Sequence, residues 1–228
     1  MLRSLAPNTT RVAIDFDGVL FRHPRAHAIV ARRCDRFVAE KLGISLAVGR
    51  ELNRATYPAF GHTARALEHL SGAPVSLEEY NAFVYAPDVL AAATDAVRRD
   101  AGAHDLARAH DAVRALAARD DSRAFVLTDA PVRWVEAMYA ASDLPPPDVP
   151  VVCAADALAG RLKSDPEAPA AARDLWGDDV VLVDDSAAIA SNFVRGSPWR
   201  VVLVAPGPSA MGARLTVARS VHEAIGLL

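Results

Sequence analysis

Three short apolar runs in this chain end at acidic residues. The junctions are Val12-Ala13-Ile14 before Asp15-Phe16-Asp17-Gly18, Phe125-Val126-Leu127 before Thr128-Asp129, and Val180-Val181-Leu182-Val183 before Asp184-Asp185-Ser186. Short β-branched runs bounded by helical sequence are typical of buried parallel strands. Because open α/β sheets build their sites at the carboxyl ends of such strands, we expect five carboxylates and a threonine to converge in one crevice.

The convergence of these carboxylates predicts a metal site. Like charges held that close repel one another unless a cation lies between them, and hard carboxylate oxygens select Mg²⁺. The sequence therefore predicts a Mg²⁺ site suited to phosphate chemistry, with Asp15, Asp17, Asp184 and Asp185 as the candidate ligands.

The alternation of strand-like and helical segments in the second half of the chain predicts the fold class. The order is strand 123–128, helix 131–141, strand 149–153, helix 165–176, strand 180–184, helix 186–195 and strand 200–204. Strands and helices that alternate at this length form a doubly wound parallel sheet of the α/β class.

Residues 26–110 are rich in Ala and Arg and poor in β-branched residues, so this stretch is expected to be helical and to add no strand. Its helices are separated at Leu42-Gly43-Ile44, Ser71-Gly72-Ala73-Pro74 and Ala86-Pro87-Asp88. Ser76, followed by two glutamates, has the pattern of a helix N-cap. We expect a core formed by residues 1–21 and 111–228, with an inserted helical subdomain at 22–110.

Charge and composition narrow the class of partner. The chain has 228 residues and a formal net charge of −3, which gives no global attraction to nucleic acid polymers or to an anionic membrane. A small-molecule substrate is the expected partner, and the oligomeric state, monomer or homodimer, stays open.

Cys34 and Cys153 are too few for a disulfide framework and lack metal-ligand spacing, so we expect reduced core thiols in a cytoplasmic protein.

Asp15 and Asp17 lie two residues apart and project from one face of an extended strand end, and Gly18 permits the turn that follows. Such a pair can divide the work of phosphoryl transfer. One carboxylate attacks phosphorus, while the other, held protonated, donates to the leaving oxygen and then deprotonates water. For an isolated pair, a solvated acidic turn is the simpler interpretation.

Two further junctions can contribute ligands. Thr128 ends a strand, where its hydroxyl and the following backbone N–H groups can bind phosphate oxygens, although a threonine there is more often a cap. Asp184 and Asp185 have the pattern of a helix N-cap. Because Ser186 can do that capping, both carboxylates stay available for a metal.

Lys163 is one of only two lysines in a chain with many arginines. A compact ammonium is suited to bridging phosphate and carboxylates as a point charge. Lys163 follows strand 149–153 at the carboxyl side of the sheet, which makes it a candidate catalytic and phosphate-binding residue. A solvated surface lysine is the alternative.

The ordered set of these motifs resembles that of the haloacid dehalogenase-like (HAD) superfamily, phosphatase branch, over residues 11 to about 206. The four motifs are Asp15-x-Asp17-Gly18, Thr128, Lys163 and Asp184-Asp185. The resemblance implies a Rossmannoid core, Mg²⁺ as cofactor and a helical cap that closes over the site. Asp185 would bind Mg²⁺ directly, and Asp184 directly or through water.

The resemblance also implies roles for the remaining residues. Asp15 would be the nucleophile that forms an aspartyl phosphate, and Asp17 the general acid and base. Thr128 and Lys163 would bind the phosphate.

Within the superfamily, the chain is most similar to pyrimidine 5'-nucleotidases. The segments that carry this similarity are Tyr57-Pro58-Ala59-Phe60-Gly61-His62-Thr63-Ala64-Arg65-Ala66-Leu67 and Tyr80-Asn81-Ala82-Phe83-Val84-Tyr85. Their aromatic side chains can stack on a base. For Phe60 and Phe83, a place in the core of the helical subdomain is an equally good interpretation.

The chain departs from that family at three places. It has Asp129 where the family has Asn, Ala187-Ala188 in place of Arg-Asn, and Ser164-Asp165-Pro166 after the lysine. If Asp129 faces the substrate, its charge lowers affinity for a phosphate dianion or shifts specificity to a less charged group. If the side chain points away and only its N–H is used, the change has no effect. The basic segment after the first motif adds Arg22 and His23 as candidate substrate-binding residues, with a solvated loop as the alternative.

Two hypotheses follow. The first is a Mg²⁺-dependent phosphomonoesterase for a small phosphorylated metabolite, with a nucleoside 5'-monophosphate preferred and a sugar phosphate as the alternative. The second is a catalytically faded relative that binds a metabolite or a protein. A phosphomutase uses the same residues and stays open, whereas a dehalogenase needs neither the second Asp nor a metal.

Overall fold

The computed structural model of this protein describes residues 10–100, 106–119, 122–206 and 210–228. Seven strands form one sheet in the order β3-β2-β1-β4-β5-β7-β6. They are β1 (Thr10–Ile14), β2 (Ser122–Thr128), β3 (Val151–Cys153), β4 (Val180–Asp184), β5 (Arg200–Val204), β6 (Ala210–Met211) and β7 (Leu215–Ala218). All neighbouring strands among the described residues pair in parallel except β6 and β7.

Helices cover both faces of this sheet. They are α1 (Pro24–Leu42), α2 (Leu46–Phe60), α3 (Thr63–Ser71), α4 (Leu77–Val84), α5 (Pro87–Arg99), α6 (Leu106–Ala117), α7 (Val132–Ala141), α8 (Ala154–Ala157), α9 (Ala168–Trp176), α10 (Ala187–Gly196) and α11 (Val221–Gly226). Val12 and Ile14 of β1 pack in one buried cluster with Trp134 of α7, and Ala13 packs in a second cluster with Phe193 of α10. The predicted α/β doubly wound sheet is confirmed.

Strand β1 lies between β2 and β4, and the register of these strands brings the acidic junctions together. Ile14 is opposite Val126 on one side and Val183 on the other, and the Asp15 N–H donates to the Val183 carbonyl at 2.8 Å. Parallel pairing places the carboxyl ends of all three strands at one edge of the sheet. The residues that follow them therefore meet there.

Helices α1 to α5, which we call the insert, lie between β1 and α6 and add no strand to the sheet. Their ends agree with the turn chemistry of the sequence: α1 stops at Gly43, which has φ +64°, and the Ser76 hydroxyl accepts from the Glu79 N–H at 3.2 Å at the start of α4. The break between α2 and α3 at Gly61 was not predicted.

Helix α6 packs against β2 and α11. Residues 106–110, which the sequence boundary placed in the inserted subdomain, thus belong to a helix that packs on the sheet. Beyond residue 206, the edge strands β6 and β7 and the helix α11 were not predicted.

Both cysteines, Cys34 and Cys153, are buried and unpaired, as predicted. In the part of the chain that the structure describes, no helix has the length and apolar character needed to cross a bilayer.

Candidate active site

Lys163 lies between two carboxylates at the carboxyl edge of the sheet. Its Nζ donates to Asp15 Oδ1 and to Asp184 Oδ2, each at 2.7 Å. Asp15 follows β1 and Asp184 ends the neighbouring strand β4, so the ammonium joins the two strand ends. Lys163 is 2% exposed and Asp184 is fully buried. The sequence predicted that these residues converge, and in the structure Lys163 contacts both carboxylates directly.

Burial and charge act in opposite directions on these groups. Burial raises the pKa of Asp15 well above its usual range and the nearby Asp184 and Asp185 raise it further, while Lys163 acts to lower it. Burial alone would lower the pKa of Lys163, but Asp15 and Asp184 raise it well above its ordinary value. The ammonium therefore stays charged and favours the ionised form of Asp15.

Three carboxylates are placed to hold a cation. Among the described residues, one oxygen from each of Asp15, Asp184 and Asp185 lies within 4.8 Å of the other two. Burial and the adjacent Asp184 raise the pKa of Asp185 to about 6, which is the expected result of crowding like charges. Gly18, at φ +81°, makes room for the group, because a Cβ there would overlap the Asp185 carboxylate.

The Asp17 carboxylate has other partners. Trp134 Nε1 donates to its two oxygens at 3.0 and 3.1 Å, and His27 Nε2 lies 3.0 Å from Oδ1. Its side chain is outside the group of three carboxylates that can hold a cation, although the sequence predicted Asp17 as a fourth ligand. Sequence analysis did not single out His27 or Trp134.

Thr128 ends β2 and Asp129 follows it, beside the loop that carries Lys163. The Thr128 hydroxyl is buried and accepts from the Ala130 N–H at 3.1 Å. Asp129 Oδ1 accepts from the Lys163 N–H at 2.9 Å, so this side chain faces the lysine loop. Burial raises the pKa of Asp129 to about 6, against a lowering by Lys163.

The loop that carries Lys163 is fixed from two sides. Asn192 of α10 donates to the carbonyls of Lys163 and Asp165, at 3.1 and 2.7 Å. Asp165 accepts from Leu162 N–H at 2.8 Å and from Arg65 of α3, whose terminal nitrogen lies 2.6 Å from Oδ2. Arg65 and Asp165 therefore connect the insert to the loop that positions the lysine.

Neither of the two candidates in the basic segment lines the cleft described next, but Arg22 is close enough to act on a carboxylate of the site. Arg22 is exposed, donates from Nε to the Gly18 carbonyl, and acts to lower the pKa of Asp185. His23 is 1% exposed and serves as the N-cap of α1, accepting from the Ala26 N–H at 3.2 Å. His23 does not line the cleft described next, so its position does not support the substrate-binding hypothesis.

A cleft of about 870 Å³ opens between the insert and the sheet edge. Its floor includes Asp17, Gly18 and Asp185. The insert contributes, among others, Asp35, Asn53, Tyr57, His62, Tyr80 and Tyr85 to its walls. Phe60 and Phe83 are not among the lining residues: Phe60 stacks on His69, and Phe83 packs beside Phe37. A metabolite of moderate size fits this space.

His62 is a neutral donor in the wall of the cleft. Burial lowers its pKa to about 3, with Arg65 and Lys163 acting in the same direction. Its Nδ1 accepts from the Ala64 N–H at 3.1 Å, so the proton of the neutral ring is on Nε2.

Comparisons with known proteins agree on the fold. No protein-family profile and no curated sequence matches the chain. Among solved structures, it is similar to a hydrolase from Pseudomonas syringae, with 17% identity, coverage of 96% of this chain and 97% of that one, and a TM-score of 0.58. CbbY from Rhodobacter sphaeroides, in complex with phosphate, shares 20% identity over 94% and 96% of the two chains, with a TM-score of 0.52.

The L-2-haloacid dehalogenase of Xanthobacter autotrophicus, with chloropropionic acid covalently bound, has 13% identity, coverage of 96% and 98%, and a TM-score of 0.51. These likenesses establish that the chain has the haloacid dehalogenase-like fold. At this level of identity the chemistry must be argued from the site.

Proposed function

We propose that this protein is a Mg²⁺-dependent phosphomonoesterase that works through an aspartyl phosphate. The observation that carries the proposal is the Lys163 ammonium held at 2.7 Å from both Asp15 and Asp184, with Asp185 completing a group of carboxylates. A haloalkanoate dehalogenase would need neither the acidic pair nor Asp17.

The residues divide the reaction between them. An Asp15 oxygen attacks phosphorus, the bond from phosphorus to the leaving oxygen breaks, and protonated Asp17 gives that oxygen its proton. Asp17 then takes a proton from water as the water attacks the aspartyl phosphate, which releases inorganic phosphate and restores the Asp15 carboxylate. Trp134 and His27 hold Asp17 in place, and Lys163 neutralises the charge that develops on the transferring group.

The donor set fits Mg²⁺. Three carboxylates that lie close together, two of them (Asp15 and Asp185) with raised pKa values, and the absence of a Cβ at Gly18 are the features expected where a hard cation belongs. The residues that would hold it are Asp15, Asp184 and Asp185. When bound, the cation supplies charge neutralisation that lets a phosphate dianion approach the carboxylates.

The substrate is proposed to be a small phosphorylated metabolite. The size of the cleft and the tyrosines in its walls suit a nucleoside 5'-monophosphate, and a pyrimidine base is our first choice. A sugar phosphate is the alternative. In this proposal the insert acts as the cap that selects the leaving group, because it contributes most of the cleft wall.

The test is hydrolysis of p-nitrophenyl phosphate with and without Mg²⁺. We expect turnover that requires Mg²⁺ and is lost in Asp15→Asn, because the amide is no nucleophile for phosphorus. Asp178→Asn, the same change at an exposed position, is the control and should match the wild type. Normal turnover by Asp15→Asn would exclude the covalent mechanism. Absence of turnover with any phosphomonoester in the presence of Mg²⁺ would favour the binding-protein alternative.

A further inference from the structure

Two buried polar residues in the cleft wall have no role in the chemistry proposed above. Asp35 of α1 and Asn53 of α2 are each 8% exposed. Asn53 Nδ2 donates to Asp35 Oδ1 at 3.0 Å, and Arg50 Nε donates to Asp35 Oδ2 at 3.3 Å. The carboxylate therefore has a donor on each oxygen.

Of the two polar atoms in the Asn53 side-chain amide, the nitrogen forms a hydrogen bond and the oxygen does not. A carboxylate accepts but does not donate, so the amide nitrogen must face Asp35 and the orientation of the amide is fixed. Its Oδ1 is buried and has no hydrogen-bond donor among the described residues. A buried acceptor without a donor costs free energy, and a ligand that brings a donor recovers it.

The position of Asn53 along α2 sets the length of that ligand. Gly61, which caps α2, lies against the catalytic domain, since a Cβ on it would be 3.3 Å from Ser186 Oγ. Asn53 precedes Gly61 by eight residues, which is about 12 Å along a helix axis. Tyr57, one turn from Asn53, lines the cleft between the two positions. Asn53 thus lines a part of the cleft that is about two helical turns from the phosphate-binding end.

We infer that Asn53 Oδ1 accepts a hydrogen bond from an N–H or O–H group at the distal end of the substrate's leaving group. The inference rests on the proposed phosphomonoesterase function and narrows its substrate class. The ligand is a phosphomonoester whose leaving group extends from the phosphate site toward Asn53 and ends in a donor. Both a nucleoside with an exocyclic amino group and a sugar with terminal hydroxyls have this chemistry.

The experiment compares Asn53→Leu with Thr56→Val. Thr56 is on the same helix, its hydroxyl bonds to the Leu52 carbonyl, and it does not line the cleft, so it controls for a polar-to-apolar change on α2. Substrates are CMP, a hexose 6-phosphate and acetyl phosphate, which is too short to reach Asn53. We expect kcat/KM of Asn53→Leu to fall about tenfold for one of the two long substrates, as for loss of one buried hydrogen bond, and to stay within about twofold for acetyl phosphate. The substrate that loses activity identifies the source of the donor.

The inference would be overturned if kcat/KM of Asn53→Leu fell equally for all three substrates, or if it fell for neither CMP nor the hexose phosphate. A second measurement does not depend on folding of the variant: the wild type is compared on CMP and on its N4-dimethyl analogue, or on the hexose phosphate and its terminal O-methyl ether. Loss of the donor should lower kcat/KM to a similar degree. If the wild type hydrolyses none of these compounds, the proposed function fails. Titration of the wild type and Asn53→Leu with CMP and the hexose phosphate then tests the contact alone, and equal Kd values overturn it.

Discussion

Lys163 determines the charge balance of the candidate site. It is the only group that contacts both Asp15 and Asp184 among the hydrogen bonds of the described residues, and it is almost completely buried. An arginine presents a planar fork, whereas an ammonium places a point charge between two carboxylates. This requirement explains why a chain with so few lysines has one here.

Removal of this cation should affect both activity and stability. In Lys163→Ala, Asp15 and Asp184 stay buried without a counter-charge, so the pKa of Asp15, the proposed nucleophile, rises further and less of it is in the reactive, ionised form. We expect kcat/KM to fall by a factor equivalent to about 2–4 kcal/mol, and the free energy of unfolding to fall by about 3–5 kcal/mol. Steady-state kinetics and urea unfolding measure the two effects. Lys41→Ala is the control, because Lys41 pairs with Glu79 at the surface, and it should match the wild type. Wild-type kcat/KM with reduced stability would make Lys163 a structural cation only, and wild-type values of both quantities would exclude either role.

Asp129 should make stability depend on pH. Its pKa is raised from an ordinary value of 3.8 to about 6, chiefly by burial, and its Oδ2 is buried without a partner. The folded state therefore binds a proton more tightly than the unfolded state. Stability from this group is fully present below about pH 4 and is lost as pH rises to about 6.

Asp129→Asn removes this dependence while keeping an acceptor for the Lys163 N–H. Relative to the variant, the wild type should lose on the order of 2–3 kcal/mol between about pH 4 and about pH 7, from the size of the pKa shift. Urea unfolding of both proteins at the two pH values, with EDTA present, measures the difference. If the free energy of unfolding changed with pH by the same amount in both proteins, ionisation of Asp129 would not destabilise the folded state.

At the residue scale, the sequence predicted the groups that follow strands but not those that support them. Asp15, Lys163 and Asp184 were predictable because each follows or ends a strand, or lies in the loop after one. Trp134 and His27 reach Asp17 from helices of two different parts of the chain. Their roles depend on how these helices pack, and no local pattern in the sequence encodes that packing.

At the scale of elements, an ion pair joins the insert to the loop that carries Lys163. Arg65 of α3 contacts both oxygens of Asp165, two residues after Lys163, and the side chains are 21% and 10% exposed. Two parallel N–H···O bonds fix the geometry more strictly than a single contact does. The position of α3 is thereby coupled to the backbone that holds the lysine.

Arg65→Met should weaken this coupling. The Asp165 carboxylate would keep its bond from the Leu162 N–H but lose its counter-charge. We expect the free energy of unfolding to fall by about 1–3 kcal/mol, with a lower kcat/KM because the lysine loop is less well held. Arg98→Met is the matched control, since Arg98 pairs loosely with Asp95 on an exposed helix face. Equal unfolding curves for the two variants would show that the Arg65 pair adds no net stability.

The elements that the sequence predicted share clear local signals. Helix ends at Gly43 and Gly72 and the start at Ser76 follow from capping chemistry and were found where predicted. Strands β6 and β7 have two and four residues, too few for alternation to be recognised, and pairing with β5 is what makes β7 a strand. Gly61 ends α2 in a segment that otherwise looks continuous with α3.

At the scale of the whole molecule, topology supplies the charge density of the site. Strands β1 and β4 are neighbours in the sheet but are separated by some 165 residues of sequence, including the entire insert. Their carboxyl ends bring Asp15, Asp184 and Asp185 together whatever the length of chain between them. The resulting repulsion is a cost to folding that a bound cation relieves.

Mg²⁺ should therefore stabilise the folded protein. A ligand that binds only the folded state raises stability by RT ln(1 + [L]/Kd), so Tm should rise as Mg²⁺ is added in the millimolar range. The rise should shrink when pH falls below about 6, because the raised pKa values of Asp185 and Asp15 let protons compete for the same oxygens. Thermal unfolding at about pH 5 and about pH 8, with and without Mg²⁺, measures both effects. In Asp185→Asn, which keeps the shape but removes one charge, the rise should be small at either pH, whereas a full rise in that variant would place the cation elsewhere.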